Sequence, residues 1–147
     1  MALDPSLVGH VYPPAEPYLV TREKIREFAA AIGAPEATFR DPAAARAAGY
    51  PDVLAPPTFA IVLTSAGMQQ LVDDPKLGLD FSRVVHGDQR FSYVRPIHAG
   101  DRLVSVVCIE QISTRAGHGF LTSRTEIGTQ DGEPVVTAWA KLVVRGE

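Results

Sequence analysis

Cysteine is almost missing from this chain. Cys108 is the only one, so no internal disulfide can form. It lies in the apolar run 103–109, where it reads as a small buried hydrophobe; a reactive thiol needs an electropositive neighbourhood, and none is visible locally. An excess of basic charge is absent too. Fourteen Lys and Arg stand against seventeen Asp and Glu, a net charge of −3, which argues against a nucleic-acid partner. The longest apolar-leaning stretch, residues 53–72, is interrupted by Pro56, Pro57, Ser65, Gly67 and two glutamines, which makes it a poor membrane span. The first ten residues lack the basic segment and apolar core of a secretory signal, so the cytoplasm is the expected compartment. There is no glycine-rich phosphate loop. The four histidines do not follow a metal-ligand spacing, so neither a metal nor a cofactor is expected.

What is present is an ordinary globular composition, 46% apolar and 21% charged over 147 residues, sized for one domain. Pro5, Pro13, Pro14 and Pro17 predict an extended arm over residues 1–20. Thr21 then stands as an N-cap with Glu23 in the first turn. Ile25, Phe28, Ala29 and Ile32 form one apolar face of a helix, and Gly33 ends it. A short Ala-rich segment covers 42–48, with Asp41 as its cap. A second long helix is expected from Pro56–Pro57, buried on most sides because apolar residues run nearly all round its first half. Four β-leaning runs follow at 84–94, 103–113, 120–128 and 135–145. Their turn-like connectors favour antiparallel pairing. The expected fold is α+β, an antiparallel sheet wrapped around a buried central helix. Such a sheet keeps an open edge, which favours a dimer.

Four stretches give this order a family look: Arg22-Glu-Lys-Ile-Arg-Glu-Phe28, Gly49-Tyr-Pro-Asp-Val-Leu-Ala-Pro-Pro-Thr-Phe59, Val85-His-Gly-Asp-Gln-Arg-Phe91 and Arg95-Pro-Ile-His-Ala-Gly-Asp-Arg-Leu103. Together they resemble the MaoC-like hydratases and dehydratases of the hot-dog fold. They look most like the A-type, non-catalytic subunit of the actinobacterial (3R)-hydroxyacyl-carrier-protein dehydratases. Catalytically complete members carry G-D-x-N-P-x-H after the first helix. Its carboxylate and imidazole share the proton transfers of water addition to an enoyl thioester. Here the same stretch reads Gly33-Ala34-Pro35-Glu36-Ala37-Thr38-Phe39, with Ala34 in place of Asp and Phe39 in place of His. Complete members also resemble one another in a glycine at the head of the buried helix, whose amide faces the thioester oxygen. That position is Pro57 here, which has no N–H.

The resemblance implies an acyl-thioester-binding subunit of a heteromeric dehydratase, in fatty-acid or polyketide-type metabolism. Its partner would be a catalytic hot-dog chain with the Asp and His intact, and its substrate an acyl group on a carrier protein or coenzyme A. Phe59, Ile61, Val62 and Leu63 are the expected acyl-lining residues, though core packing explains them equally well. Arg90, Arg95 and Arg102 could meet phosphopantetheine charge or simply be solvated. Two other readings stay open: a homodimeric dehydratase, isomerase or thioesterase, and a non-enzymatic acyl-thioester-binding module. The homodimeric enzyme would use His86 and Asp88, which alternate onto one face of an extended strand. Glu36 could be a displaced base or a solvated loop carboxylate. His10, His98 and His118 read as arm and turn residues facing solvent.

Overall fold

The computed structural model describes residues 2–146. In chain order it contains strand β1 (Tyr18–Leu19), helices α1 (Arg22–Ala31), α2 (Pro42–Ala47) and α3 (Ala60–Asp73), and strands β2 (Val84–Tyr93), β3 (Arg102–Arg115), β4 (His118–Thr129) and β5 (Pro134–Val144). The five strands form one antiparallel sheet in the order β1-β3-β4-β5-β2. This is the expected α+β hot-dog architecture, with the sheet curled against α3. No helix among the described residues is long and apolar enough to cross a membrane.

The local signals act where they were expected. The Thr21 hydroxyl accepts from the Lys24 N–H at 3.1 Å and caps α1. The Asp41 carboxylate accepts from the Ala43 N–H at 2.9 Å and caps α2. Ile25 and Ala29 turn the apolar face of α1 into the core. Gly33 takes φ +69°, a left-handed conformation that a side chain disfavours, and reverses the chain after the helix.

Three features differ from expectation. The N-terminal arm, expected simply to run extended over the surface, is tied to the sheet by hydrogen bonds. Gly9, Tyr12 and Ala15 donate backbone hydrogen bonds to the carbonyls of Ile109, Val107 and Ser105, and residues 18–19 add a fifth strand beside β3. The long helix starts at Ala60 rather than at the proline pair. Pro56 and Pro57 instead open a tight turn, in which the Phe59 N–H donates to the Pro56 carbonyl at 2.9 Å. Finally, α3 is not buried on most sides. Ala60, Leu63, Gly67 and Leu71 form one buried row, while Ile61 remains 37% exposed. Five strands from a single chain can cover only one side of the helix. Along that row the helix lies so close to β3 that a Cβ on Gly67 would sit 2.9 Å from the Cβ of Val107.

An ion pair pins the loop before α3. Arg22 of α1 clasps Asp52 through Nε and Nη2 at 2.9 and 2.8 Å, fastening the segment before α3 to the first helix. Hydrogen bonding from Arg22 holds the Asp52 carboxyl down at about 2, against the partial burial that opposes it. A carboxyl whose folded value lies below its unfolded one stabilises the fold fully above the unfolded value, 3.8, and loses that contribution as pH falls towards 2. Acid denaturation of the wild type is therefore expected to show a stability loss between about pH 4 and pH 2 that Asp52→Asn lacks. Because half of the Arg22 side chain is exposed, the difference should shrink in high salt. Equal acid limbs for the two proteins would refute this.

Candidate functional site

The hydratase-motif position lies where α1 hands over to the loop beneath α2. The Ala34 N–H donates to the Ala29 carbonyl at 2.9 Å, completing the helix end. The Ala34 carbonyl in turn accepts from the Arg40 guanidinium. Glu36 is exposed and makes no side-chain cap to the short 3₁₀ turn Ala37–Phe39 that follows it. Phe39 packs, partly buried, against the core cluster containing Val53, Phe59 and Ile97. The side chains of Ala34 and Phe39 carry no group able to move a proton.

At the head of α3, Pro57 supplies no donor. Its carbonyl is occupied, accepting from the Tyr93 hydroxyl at 2.6 Å. Burial pushes the Tyr93 hydroxyl up to about 12, so at neutral pH it stays protonated and donates. This contact ties β2 to the turn that launches the helix.

His86 and Asp88 occupy unusual ground. The pairing of β2 with β5 slips between them: His86 faces Leu142 and Asp88 faces Lys141, with Gly87 as the extra residue of a bulge. Alternation is broken there. His86 lies opposite an inward-facing, buried residue and Asp88 opposite an exposed one. The His86 imidazole Nε2 sits 3.0 Å from the Asp88 backbone carbonyl, so it is the main chain and not the carboxylate that holds the ring. The bulge also brings Gln89 onto the His86 side. Beyond it, Gln89, Phe91 and Tyr93 alternate with the exposed Arg90, Ser92 and Val94. That alternation was the available signal for Gln89, a residue that sequence reasoning passed over.

A cleft of about 210 Å³ opens between α3 and the sheet. Ile61, Met68 and Leu71 line the helix side. His86, Gln89 and Val107 line the sheet side, where the small Ala138 and Ala140 leave room beneath them. The four expected acyl-lining residues are spread round the helix rather than gathered in this cleft. Ile61 lines it; Val62 and Leu63 border a second groove beside Tyr18 and Lys24; Phe59 is fully buried, edge-on to Phe28 with ring centroids 5.4 Å apart.

The model of the family described as "FAS1-like, dehydratase domain region" matches residues 6–138, almost the whole sheet and all three helices. The chain belongs to this dehydratase-domain family. A UPF0336 protein of Saccharopolyspora erythraea is 58% identical over 99% of this chain and 94% of its own length. Among solved structures, the HadBC (3R-hydroxyacyl-ACP dehydratase) complex of Mycobacterium tuberculosis contains a chain 30% identical to this one. The match has a TM-score of 0.82 and covers 93% of this chain and 96% of that one. A MaoC-like dehydratase gives 32% identity and a TM-score of 0.88 over 96% of this chain, which spans only 43% of that longer protein.

Within this dehydratase-domain chain the remaining candidates are largely committed to structure. Arg90 stacks its guanidinium 4.0 Å above the ring of Trp139. Arg95 is held by Asp101 and Glu133, and Arg102 is exposed. His98, expected to face solvent, is instead half-buried in the turn after β2. Its N–H donates to Asp101 at 3.0 Å and its ring Nδ1 lies 2.9 Å from the Ala99 carbonyl. His118 accepts from the Gly146 N–H at 2.9 Å, and His10 lies edge-on to Tyr12. Cys108 is buried.

Proposed function

We propose that this chain is an acyl-thioester-binding, non-catalytic subunit of a heteromeric (3R)-hydroxyacyl-thioester dehydratase, working in fatty-acid or polyketide-type metabolism. One observation carries the reading. The loop that should present an acid–base pair keeps its helix-ending backbone but holds Ala34 and Phe39, the latter packed on the core. The helix head that should offer an amide ends in Pro57, its carbonyl already taken by Tyr93. The kinship to a chain of the HadBC (3R-hydroxyacyl-ACP dehydratase) complex supports the assembly with a second hot-dog subunit.

The partner has a place to dock. β2 is ten residues long and pairs with β5 on one side only, leaving a row of backbone donors and acceptors at the sheet edge. Val85 and Val94, 44% and 71% exposed, lie at its two ends. A second strand added here would extend the sheet and close over the open side of α3. The partner would bring the Asp and His. This chain would contribute the apolar cleft and shield the acyl tail from water. The alternative enzyme built on His86 and Asp88 is less favoured, because the imidazole meets the Asp88 main-chain carbonyl and no hydrogen bond joins it to the carboxylate among the described residues.

The test is hydration of a trans-2-enoyl thioester by the purified chain, alone and mixed with a hot-dog protein encoded beside it that carries an intact G-D-x-N-P-x-H. Turnover is expected only in the mixture. Activity of this chain alone, abolished by His86→Ala, would overturn the reading. So would acyl binding with no turnover even in the mixture.

A further inference from the structure

Gln89 projects into the cleft under α3, and both polar atoms of its amide are buried. Neither Oε1 nor Nε2 has a hydrogen-bond partner among the described residues. A buried amide left unpaired costs on the order of 1–3 kcal/mol, so a polar group at this depth in a largely apolar cleft calls for a partner. The neighbours do not supply one: Ser123 and Thr125 line the sheet side without bonding to the amide, and the His86 ring is held by the Asp88 carbonyl. Thr64 and Ser65, the hydroxyls on the helix side, donate back to the Ile61 and Val62 carbonyls at 2.8 and 2.7 Å. The rest of the helix wall is Ile61, Met68 and Leu71.

An amide offers an acceptor and a donor side by side. A hydroxyl matches both, because its O–H can donate to Oε1 while its oxygen accepts from Nε2. A pantetheine amide could also match. That arm, however, also carries a phosphate, and no Lys or Arg lines the cleft to meet it. At roughly 30 Å³ per heavy atom, the volume of a water, 210 Å³ holds about seven chain atoms.

We propose that this cleft selects acyl chains bearing a hydroxyl along their length, and that Gln89 is the specificity-determining residue that reads it. The inference rests on the acyl-thioester reading above. On that reading the 3-hydroxyl lies at the partner's Asp and His, so the group met by Gln89 is a further hydroxyl, nearer the tail.

The experiment walks a hydroxyl along a chain. Equilibrium dissociation constants are measured for octanoyl-pantetheine and its 3-, 5-, 6-, 7- and 8-hydroxy derivatives, with the chain alone and mixed with its catalytic partner. One position among 5 to 8 is expected to bind about ten-fold more tightly than the unsubstituted chain, the effect of one well-made hydrogen bond. In Gln89→Leu the preference should vanish, with octanoyl-pantetheine bound at least as well as by wild type and the melting temperature unchanged or raised. Equal or weaker binding of all four derivatives overturns the inference while leaving acyl binding intact. A preference that survives in Gln89→Leu does the same. If no thioester binds under either condition, the parent reading fails and the inference with it. Because the wild-type series decides the preference by itself, a poorly folding variant does not block the test.

Discussion

Phe59→Ala is expected to destabilise the protein by about 3–5 kcal/mol, and to reduce acyl binding only as far as it unfolds the chain. The Phe59 side chain is completely buried among Ile25, Val53 and Ile97, with Phe28 edge-on to its ring. It also sits where the proline turn becomes α3, so a cavity there loosens the helix at its first residue. Ile61, two residues later, should behave oppositely. It is 37% exposed and lines the cleft, so Ile61→Ala should change stability by less than about 1 kcal/mol while weakening octanoyl-pantetheine binding. Denaturant unfolding with thioester titration on both variants separates the roles. A stable Phe59→Ala that has lost acyl binding would return Phe59 to the ligand wall.

Arg95→Ala is expected to cost a similar amount, about 3–5 kcal/mol, for an electrostatic reason. The Asp101 side chain is only 5% exposed, and Arg95 grips both its oxygens with Nη1 and Nη2 at 3.0 and 2.9 Å. Arg95 also reaches Glu133 through Nε at 2.8 Å, bridging the β4–β5 turn to the loop between β2 and β3. The hydrogen bonds it donates to Asp101 and Glu133 raise the guanidinium further above its ordinary range, so Arg95 keeps its charge. Removing Arg95 strands a carboxylate in the protein with only the His98 backbone N–H and ring nearby. Arg95→Lys should recover part of the loss, because a point charge cannot reproduce the two-pronged geometry. Thermal melts of the two variants check this. An unchanged melting temperature for Arg95→Ala would show that water reaches Asp101 in the fold.

Much of this architecture was legible before the structure. The Thr21 and Asp41 caps and the turns at 116–117 and 131–132 are local signals, satisfied within a few residues, and each acts as read, whereas the expected apolar face of α1 loses Ile32, which caps the helix end and is 51% exposed. The start of α3 was misplaced by three residues because a proline pair that can open a helix here closes a turn first. The two-residue β1 was missed because so short a strand has no period to detect; β3 beside it creates it.

The candidate site divides in the same way. That the side chains of Ala34 and Phe39 hold no proton-transfer group and that Pro57 has no N–H is a matter of residue identity, which no fold can change. The amino-acid sequence therefore determined the order of elements, the antiparallel sheet and the chemistry that Ala34, Phe39 and Pro57 cannot supply. Only the tertiary structure decided which side chains share a space. It sent Phe59 to the core and Ile61 to a cleft, joined Arg95 to Asp101, and through one extra residue at Gly87 brought Gln89 onto the side of the strand that His86 presents to the cleft. The physical reason is register. A strand alternates with a period of two, so a single bulge reverses every facing beyond it, and its effect depends on the strand across the ladder.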